Sequence, residues 1–98
     1  MRKHAPFHEL AELELNDAAD FYDSKEAGLG SAFVREVQQA VHQIAEHPES
    51  CMIAKGNART KVLNRFPYSI IYSITPDTVR ILAVASQRRR PFYWRGRS

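Results

Sequence analysis

The 98-residue chain has one cysteine, Cys51, so no intrachain disulfide can form. That excludes a disulfide-stapled secreted scaffold and points to a reducing compartment. Its apolar runs are no longer than β-strands, which excludes a helix spanning a membrane. The start, Met1-Arg2-Lys3-His4-Ala5-Pro6-Phe7-His8-Glu9, is not followed by an apolar stretch. No signal peptide is therefore expected, and the protein is expected in the cytoplasm. The four glycines (Gly28, Gly30, Gly56, Gly96) occupy turn or tail positions, and none belongs to a phosphate-cradling loop. Cys51 and the scattered histidines (His4, His8, His42, His47) form no paired ligand spacing, so neither a metal nor a cofactor is expected.

Charge of one sign is missing from each half. Residues 1–50 carry ten of the eleven carboxylates against four of the fourteen bases, a formal −6. Residues 51–98 carry ten bases against Asp77 alone, a formal +9. The net charge of +3 hides this asymmetry. The basic half ends in Arg88-Arg89-Arg90-Pro91-Phe92-Tyr93-Trp94-Arg95, where cations alternate with rings. Such a mixture suits a polyanionic surface or a negatively charged protein partner. On charge alone, a solvated face explains the excess slightly better. The length makes one domain, residues 1–98, and an apolar share of 44% is ordinary for a globular protein. A chain this short is marginally stable alone, so partner binding contributes to its stability.

Residues from about Phe7 to Asp23 read as a helix with Ala11, Leu15, Ala18 and Tyr22 on one stripe. Leu10, Leu13 and Phe21 widen its apolar surface, so it is expected to touch two neighbours. Gly28-Leu29-Gly30 breaks it, and Ser31 is the expected N-cap of a second helix, about Ala32–Glu46. Phe33, Val37, Ala40, Val41 and Ile44 form the buried stripe of that helix, with Arg35, Glu36, Gln39 and Gln43 in water. Pro48 follows its end. Three strands are expected after Met52, over Ala58–Phe66, Tyr68–Thr75 and Thr78–Ser86. The turn Thr75-Pro76-Asp77-Thr78 pairs Ile74 with Val79, Tyr72 with Ile81, Ile70 with Ala83 and Tyr68 with Ala85. That face receives the helices. The opposite face then carries Ser69, Ile71, Ser73, Arg80, Leu82, Val84 and Ser86, and is joined by Arg59, Lys61, Leu63 and Arg65. The fold class is α+β: an antiparallel two-helix hairpin on a small antiparallel sheet of three to four strands, with a short aromatic and basic C-terminal tail.

Helix-helix-strand-strand-strand, with Arg65-Phe66-Pro67-Tyr68-Ser69-Ile70-Ile71-Tyr72 and then Arg88-Arg89 followed by Pro91 and Tyr93-Trp94, resembles the RelE/ParE superfamily. Its members are toxins of type II toxin–antitoxin modules, also called plasmid-stabilisation proteins. The resemblance covers roughly residues 7–95 and leans to the ParE-like branch. It implies growth arrest when the toxin is free of its antitoxin. The ParE-like branch inhibits DNA gyrase, whereas the RelE-like branch cuts mRNA on the ribosome. The implied partner is a cognate antitoxin, acidic and partly disordered, which folds on the toxin and forms a hetero-oligomer with it. It would lay a helix between the hairpin and the sheet, or add a strand to an open edge. Relatives usually place a histidine where Ser86 stands. They also commonly begin with a strand, for which the Pro6-containing start offers little pattern and whose loss would leave an open sheet edge.

RNA cleavage without metal needs a base, an acid and a phosphate-stabilising cation. The basic half has no histidine, and its one carboxylate lies in a turn. The resemblance to the ribonuclease branch would assign Tyr93, Arg88 and Lys61, but Ser69 stands where a further arginine is expected. Inhibition of gyrase needs only a binding surface, for which Arg59, Lys61, Arg65, Arg88, Arg89 and Tyr93 are the candidates. Trp94 reads as packing, Arg90 and Arg97 as solvated. A ribosome-dependent ribonuclease and a degenerate toxin that only binds its antitoxin are the alternatives.

Overall fold

A computed structural model describes residues 5–98; Arg2, Lys3 and His4 of the sequence reading lie outside the described residues. Helix α1 spans Glu9–Lys25. His8 caps it, its Nδ1 accepting the Leu10 N–H at 3.0 Å, and Glu9 and Glu12 face the positive end of the helix dipole. Helix α2 spans Leu29–Glu46 and starts earlier than its sequence signal. Ser31, the expected N-cap, lies inside the first turn. The cap position is Gly28, at φ 88°, a conformation open to glycine. The capping oxygen comes from α1: Asp23 Oδ1 accepts the Gly30 N–H at 2.8 Å. A Cβ on Gly30 would lie 2.3 Å from the Ala19 carbonyl oxygen, so the helices meet closely here.

After a short 3₁₀ turn, Pro48–Ser50, four strands follow: β1 Met52–Lys55, β2 Ala58–Val62, β3 Tyr68–Ile74 and β4 Val79–Ser86. They form one antiparallel sheet in the order β1-β2-β3-β4. Strand β1 was not among the three expected. It is only four residues long and turns into β2 through Gly56, at φ 58°. Strand β2 stops at Val62, short of the expected Phe66. Glu36 on α2 explains the stop: its Oε2 accepts the Asn64 and Arg65 N–H groups at 2.7 and 3.2 Å, drawing the chain out of the ladder. Glu36 is therefore an anchor, not a residue merely facing water.

The β3–β4 hairpin holds its expected register at Ile74–Val79 and Tyr72–Ile81, then shifts by one residue. Ile71 pairs with Ala83, Ile70 with Val84 and Tyr68 with Ser86. A bulge at Leu82 inserts the extra residue, and everything beyond it changes face. Val84 and Ser86 thus turn to the helices, while Ala83 and Ala85 turn away. On the helix side, Ile70, Tyr72, Val79, Ile81 and Val84 pack against Phe33, Val37 and Ile44. The rings of Tyr22, Phe33, Phe66 and Tyr68 meet at centroid distances of 4.9–6.2 Å.

The opposite face is not open. Ala58, Ile71, Leu82, Ala83 and Ala85 form a second apolar layer covered by Trp94 and flanked by Tyr93. Trp94, 7% exposed, packs as its sequence reading expects. Nor is the β4 edge open. A single parallel bridge, Phe7 to Ile81, stands where a first strand would run, with His8 N–H donating to Ile81 O at 2.7 Å and Ile81 N–H to Pro6 O at 2.9 Å. Further along, Val84 N–H donates to Glu14 Oε1 at 3.1 Å, and Arg97 Nη1 donates to Leu82 O at 3.0 Å. Two side chains do there what a neighbouring strand would do. The edge left without a strand neighbour is β1, where Met52 and Ile53 are exposed.

Candidate functional site

The chain after β4 turns back on itself. Gln87 N–H donates to Pro67 O at 2.9 Å, tying the tail to the 63–67 loop, so Arg65 and Arg88 emerge at one end of the sheet. Ser86 Oγ accepts the Arg88 N–H at 3.2 Å, and Ser86 O accepts the Arg89 N–H at 3.1 Å. A hydroxyl therefore shapes the turn that follows β4. Residues Arg88, Arg89 and Arg90 are exposed.

Tyr93 returns to the β4 edge and lies between two guanidiniums. The Arg89 carbon Cζ sits 3.9 Å from its ring centroid and that of Arg97 5.1 Å. Its hydroxyl donates to Glu14 Oε2 at 2.7 Å. Arg97 reaches both Glu14 oxygens, Nη1 to Oε1 at 2.9 Å and Nη2 to Oε2 at 3.1 Å. Arg97 is thus paired with a half-enclosed carboxylate, contrary to the solvated role read from sequence. Burial and the bond to Glu14 both push the Tyr93 hydroxyl well above the usual phenol range. It is held neutral and its proton is committed.

A groove of about 270 Å³ opens beside this clamp, lined by Glu14, Asp17, Ala18 and Phe21 of α1, Tyr68, Val84 and Ser86 of the sheet, and Arg89 and Tyr93 of the tail. The expected residues divide among places. Arg89 and Tyr93 share the groove. Lys61 stands beside α2 with Glu36, Gln39 and Gln43. Arg65 lines a neighbouring depression with Arg35 and Asn64, its Cζ 5.4 Å from the Phe66 ring centroid. Arg59 serves the fold: its Nη1 donates to Cys51 O at 2.6 Å, beside Tyr72, whose hydroxyl holds Pro48 O at 2.8 Å.

Arg59 and Lys61 pair with Tyr72 and Ile70, so both stand on the helix side of the sheet, not on the opposite face as expected. The neighbouring residue explains the reversal. Ala58, Thr60 and Val62 face away, and Leu63 is buried with the helices. Of the residues named for RNA cleavage, Tyr93 lines the groove beside α1, Lys61 stands beside α2 and Arg88 is exposed after β4. Among the described residues, no group of three or more His, Cys, Asp or Glu side chains could hold a metal ion. No described helix is long and apolar enough to cross a membrane.

The pairing of Glu14 with Arg97 escaped the sequence reading. They are 83 positions apart, and a glutamate on an amphipathic helix carries no mark of a partner so distant.

The family model for the ParE toxin of the type II toxin–antitoxin system parDE matches residues 6–91. A solved structure described as a chromosomal ParDE toxin–antitoxin system from P. aeruginosa superposes with a TM-score of 0.78, covering 87% of this chain and 96% of the other at 16% identity. That likeness is one of fold. No curated protein sequence matches the chain.

Proposed function

Because the chain belongs to the ParE toxin family of type II toxin–antitoxin systems, we propose that it arrests growth in the cytoplasm by holding DNA gyrase in an inhibited state. Arg65, Arg88 and Arg89 make the target contact at one end of the sheet, with Tyr93 supporting Arg89 and Lys61 at the margin. Arg59 contributes through the fold. The observation that carries this reading is the commitment of the Tyr93 hydroxyl to Glu14 beside exposed guanidiniums. The surface is equipped to bind, and the Tyr93 hydroxyl is engaged rather than free to act as an acid or base.

The antitoxin covers what the toxin leaves apolar and exposed: Leu10, Leu13 and Phe21 on α1, and Met52, Ile53 and Val62 at the β1 side. A helix on α1 and its groove, or a strand added to β1, would bury these side chains.

The test is induction of the chain alone in bacteria carrying a DNA-damage reporter. Arrest with the reporter on is expected, with relief by Arg65→Ala, Arg88→Ala and Arg89→Ala. Arrest with a silent reporter would move the target to translation, and full toxicity in all three variants would remove this surface from the mechanism.

A further inference from the structure

We propose that the tip of the tail is a nucleic-acid phosphate site, formed by Arg89, Arg90 and Arg95 around Phe92, with Lys55 on its rim. It requires neither the gyrase reading nor the antitoxin. A depression of about 420 Å³ is lined by Arg89, Arg90, Pro91, Phe92, Tyr93 and Arg95, with no carboxylate among them. Glu14 and Asp17 line the adjoining groove, which shares Arg89 and Tyr93, but neither lines this depression.

The chain sorts its arginines. Arg59, Arg80 and Arg97 are each bonded to backbone oxygens, and Arg97 also to a carboxylate. Among the described residues, the guanidiniums of Arg90 and Arg95 meet no hydrogen-bond or ion-pair partner. Both are exposed.

The turn that gathers them is strained. Phe92 has φ 61°, a left-handed conformation that a bulky residue rarely adopts. Its ring is held by Lys55 Nζ, 4.9 Å from the centroid, and by an edge contact with Trp94 at 5.9 Å. The hydrogen bonds Tyr93 N–H to Arg90 O and Arg95 N–H to Phe92 O close the turn on either side. The bend brings Arg90 and Arg95 to one depression with an exposed ring between them. Guanidiniums grip phosphate oxygens in pairs, and an aromatic ring among them suits the sugars and bases that accompany a phosphate row. A lone carboxylate would engage only one of these cations. Phe92 and Arg95 lie beyond the range matched by the family, residues 6–91, so family membership assigns them nothing.

The experiment is fluorescence anisotropy of a short labelled DNA duplex with the full chain across a salt series. Three to four phosphate contacts give log K falling with log salt at a slope of about −3. Arg90→Ala with Arg95→Ala should reduce that slope by about 1.8 and weaken binding about sixtyfold at ~0.1 M salt. Arg90→Lys with Arg95→Lys should keep the slope. Arg35→Ala with Lys25→Ala, which removes the same charge from the helical layer, should leave binding unchanged. Unchanged Trp94 fluorescence confirms that the variants remain folded. Competition by duplex DNA and by single-stranded RNA tells which nucleic acid the site prefers, and either supports it. Equal binding by the Arg90/Arg95 alanine variant, equal loss in the helical-layer control, or stronger competition by polyglutamate would overturn it.

Discussion

The hydroxyl of Tyr93 donates a 2.7 Å hydrogen bond to Oε2 of Glu14, 79 positions earlier in the chain. Around that carboxylate converge the Arg97 guanidinium and the Val84 amide, so one glutamate joins helix, sheet edge and tail. With side chains 15% and 12% exposed, Glu14 and Arg97 are shielded enough for loss of either to leave the other stranded. Glu14→Ala should destabilise the protein by about 3 kcal/mol. Trp94 is the only tryptophan, so its fluorescence should shift to the red at lower urea than in the parent. A variant melting within ~0.5 kcal/mol of the parent would show that the tail stays docked without the clamp.

Tyr93→Phe removes the hydroxyl and keeps the ring between Arg89 and Arg97. The expected loss is about 1–2 kcal/mol of stability, from the missing bond and the less satisfied carboxylate. Growth inhibition should persist, because the ring still supports Arg89. Loss of toxicity in a variant of parental stability would restore the hydroxyl to the chemistry.

All four tyrosines are held above their ordinary ionisation range. Burial is the largest cause for Tyr22, Tyr68, Tyr72 and Tyr93 alike, with hydrogen bonds adding to it at the last two. Their unfolded pKa is about 10, so above that pH the unfolded chain binds fewer protons than the folded one. The stabilisation is complete below pH ~10 and is lost as pH rises toward the folded values. Alkaline titration should therefore show phenolate absorbance rising together with loss of the Trp94 signal. Phenolate appearing at pH ~10 in a folded protein would contradict the burial described for these rings.

Arg59→Ala and Arg65→Ala should part ways. The first frees the Cys51 carbonyl from its 2.6 Å donor and loosens the turn before β1, costing about 1–2 kcal/mol. The second leaves an exposed position and should change stability by less than ~0.5 kcal/mol while relieving toxicity. Paired thermal melts and growth curves distinguish them.

Gly30→Ala would press a methyl carbon to 2.3 Å from the Ala19 carbonyl and against Asp23, which caps α2. The helices must separate, at about 2–3 kcal/mol. Gly28→Ala meets no atom within 4 Å but keeps φ 88°, so its cost, about 1 kcal/mol, is backbone strain alone. A lower melting temperature for Gly28→Ala than for Gly30→Ala would invert this order.

Much of the architecture was legible in the residues because it is local. The stripes Ala11–Ala18 and Phe33–Val37–Ile44 place two helices through their spacing alone, and Thr75-Pro76-Asp77-Thr78 places the turn between β3 and β4. The family was legible for the same reason, since its motifs are short and contiguous. Strand β1 was missed because Met52–Lys55 is brief and mostly exposed, so it has no clean alternation.

The sequence by itself determined the helical hairpin, the antiparallel strand pairing next to it and the crowding of cations into the second half. Tertiary structure decided which face each side chain meets. Ile81–Ala85 is apolar throughout, so alternation cannot reveal a bulge at Leu82, and the faces of Val84 and Ser86 depend on that one inserted residue. It also decided which arginines are bound and which are free. Arg97 and Arg95 are two positions apart on the same tail, yet only the first meets Glu14, because a carboxylate on α1 becomes its neighbour only when the chain has closed across the sheet.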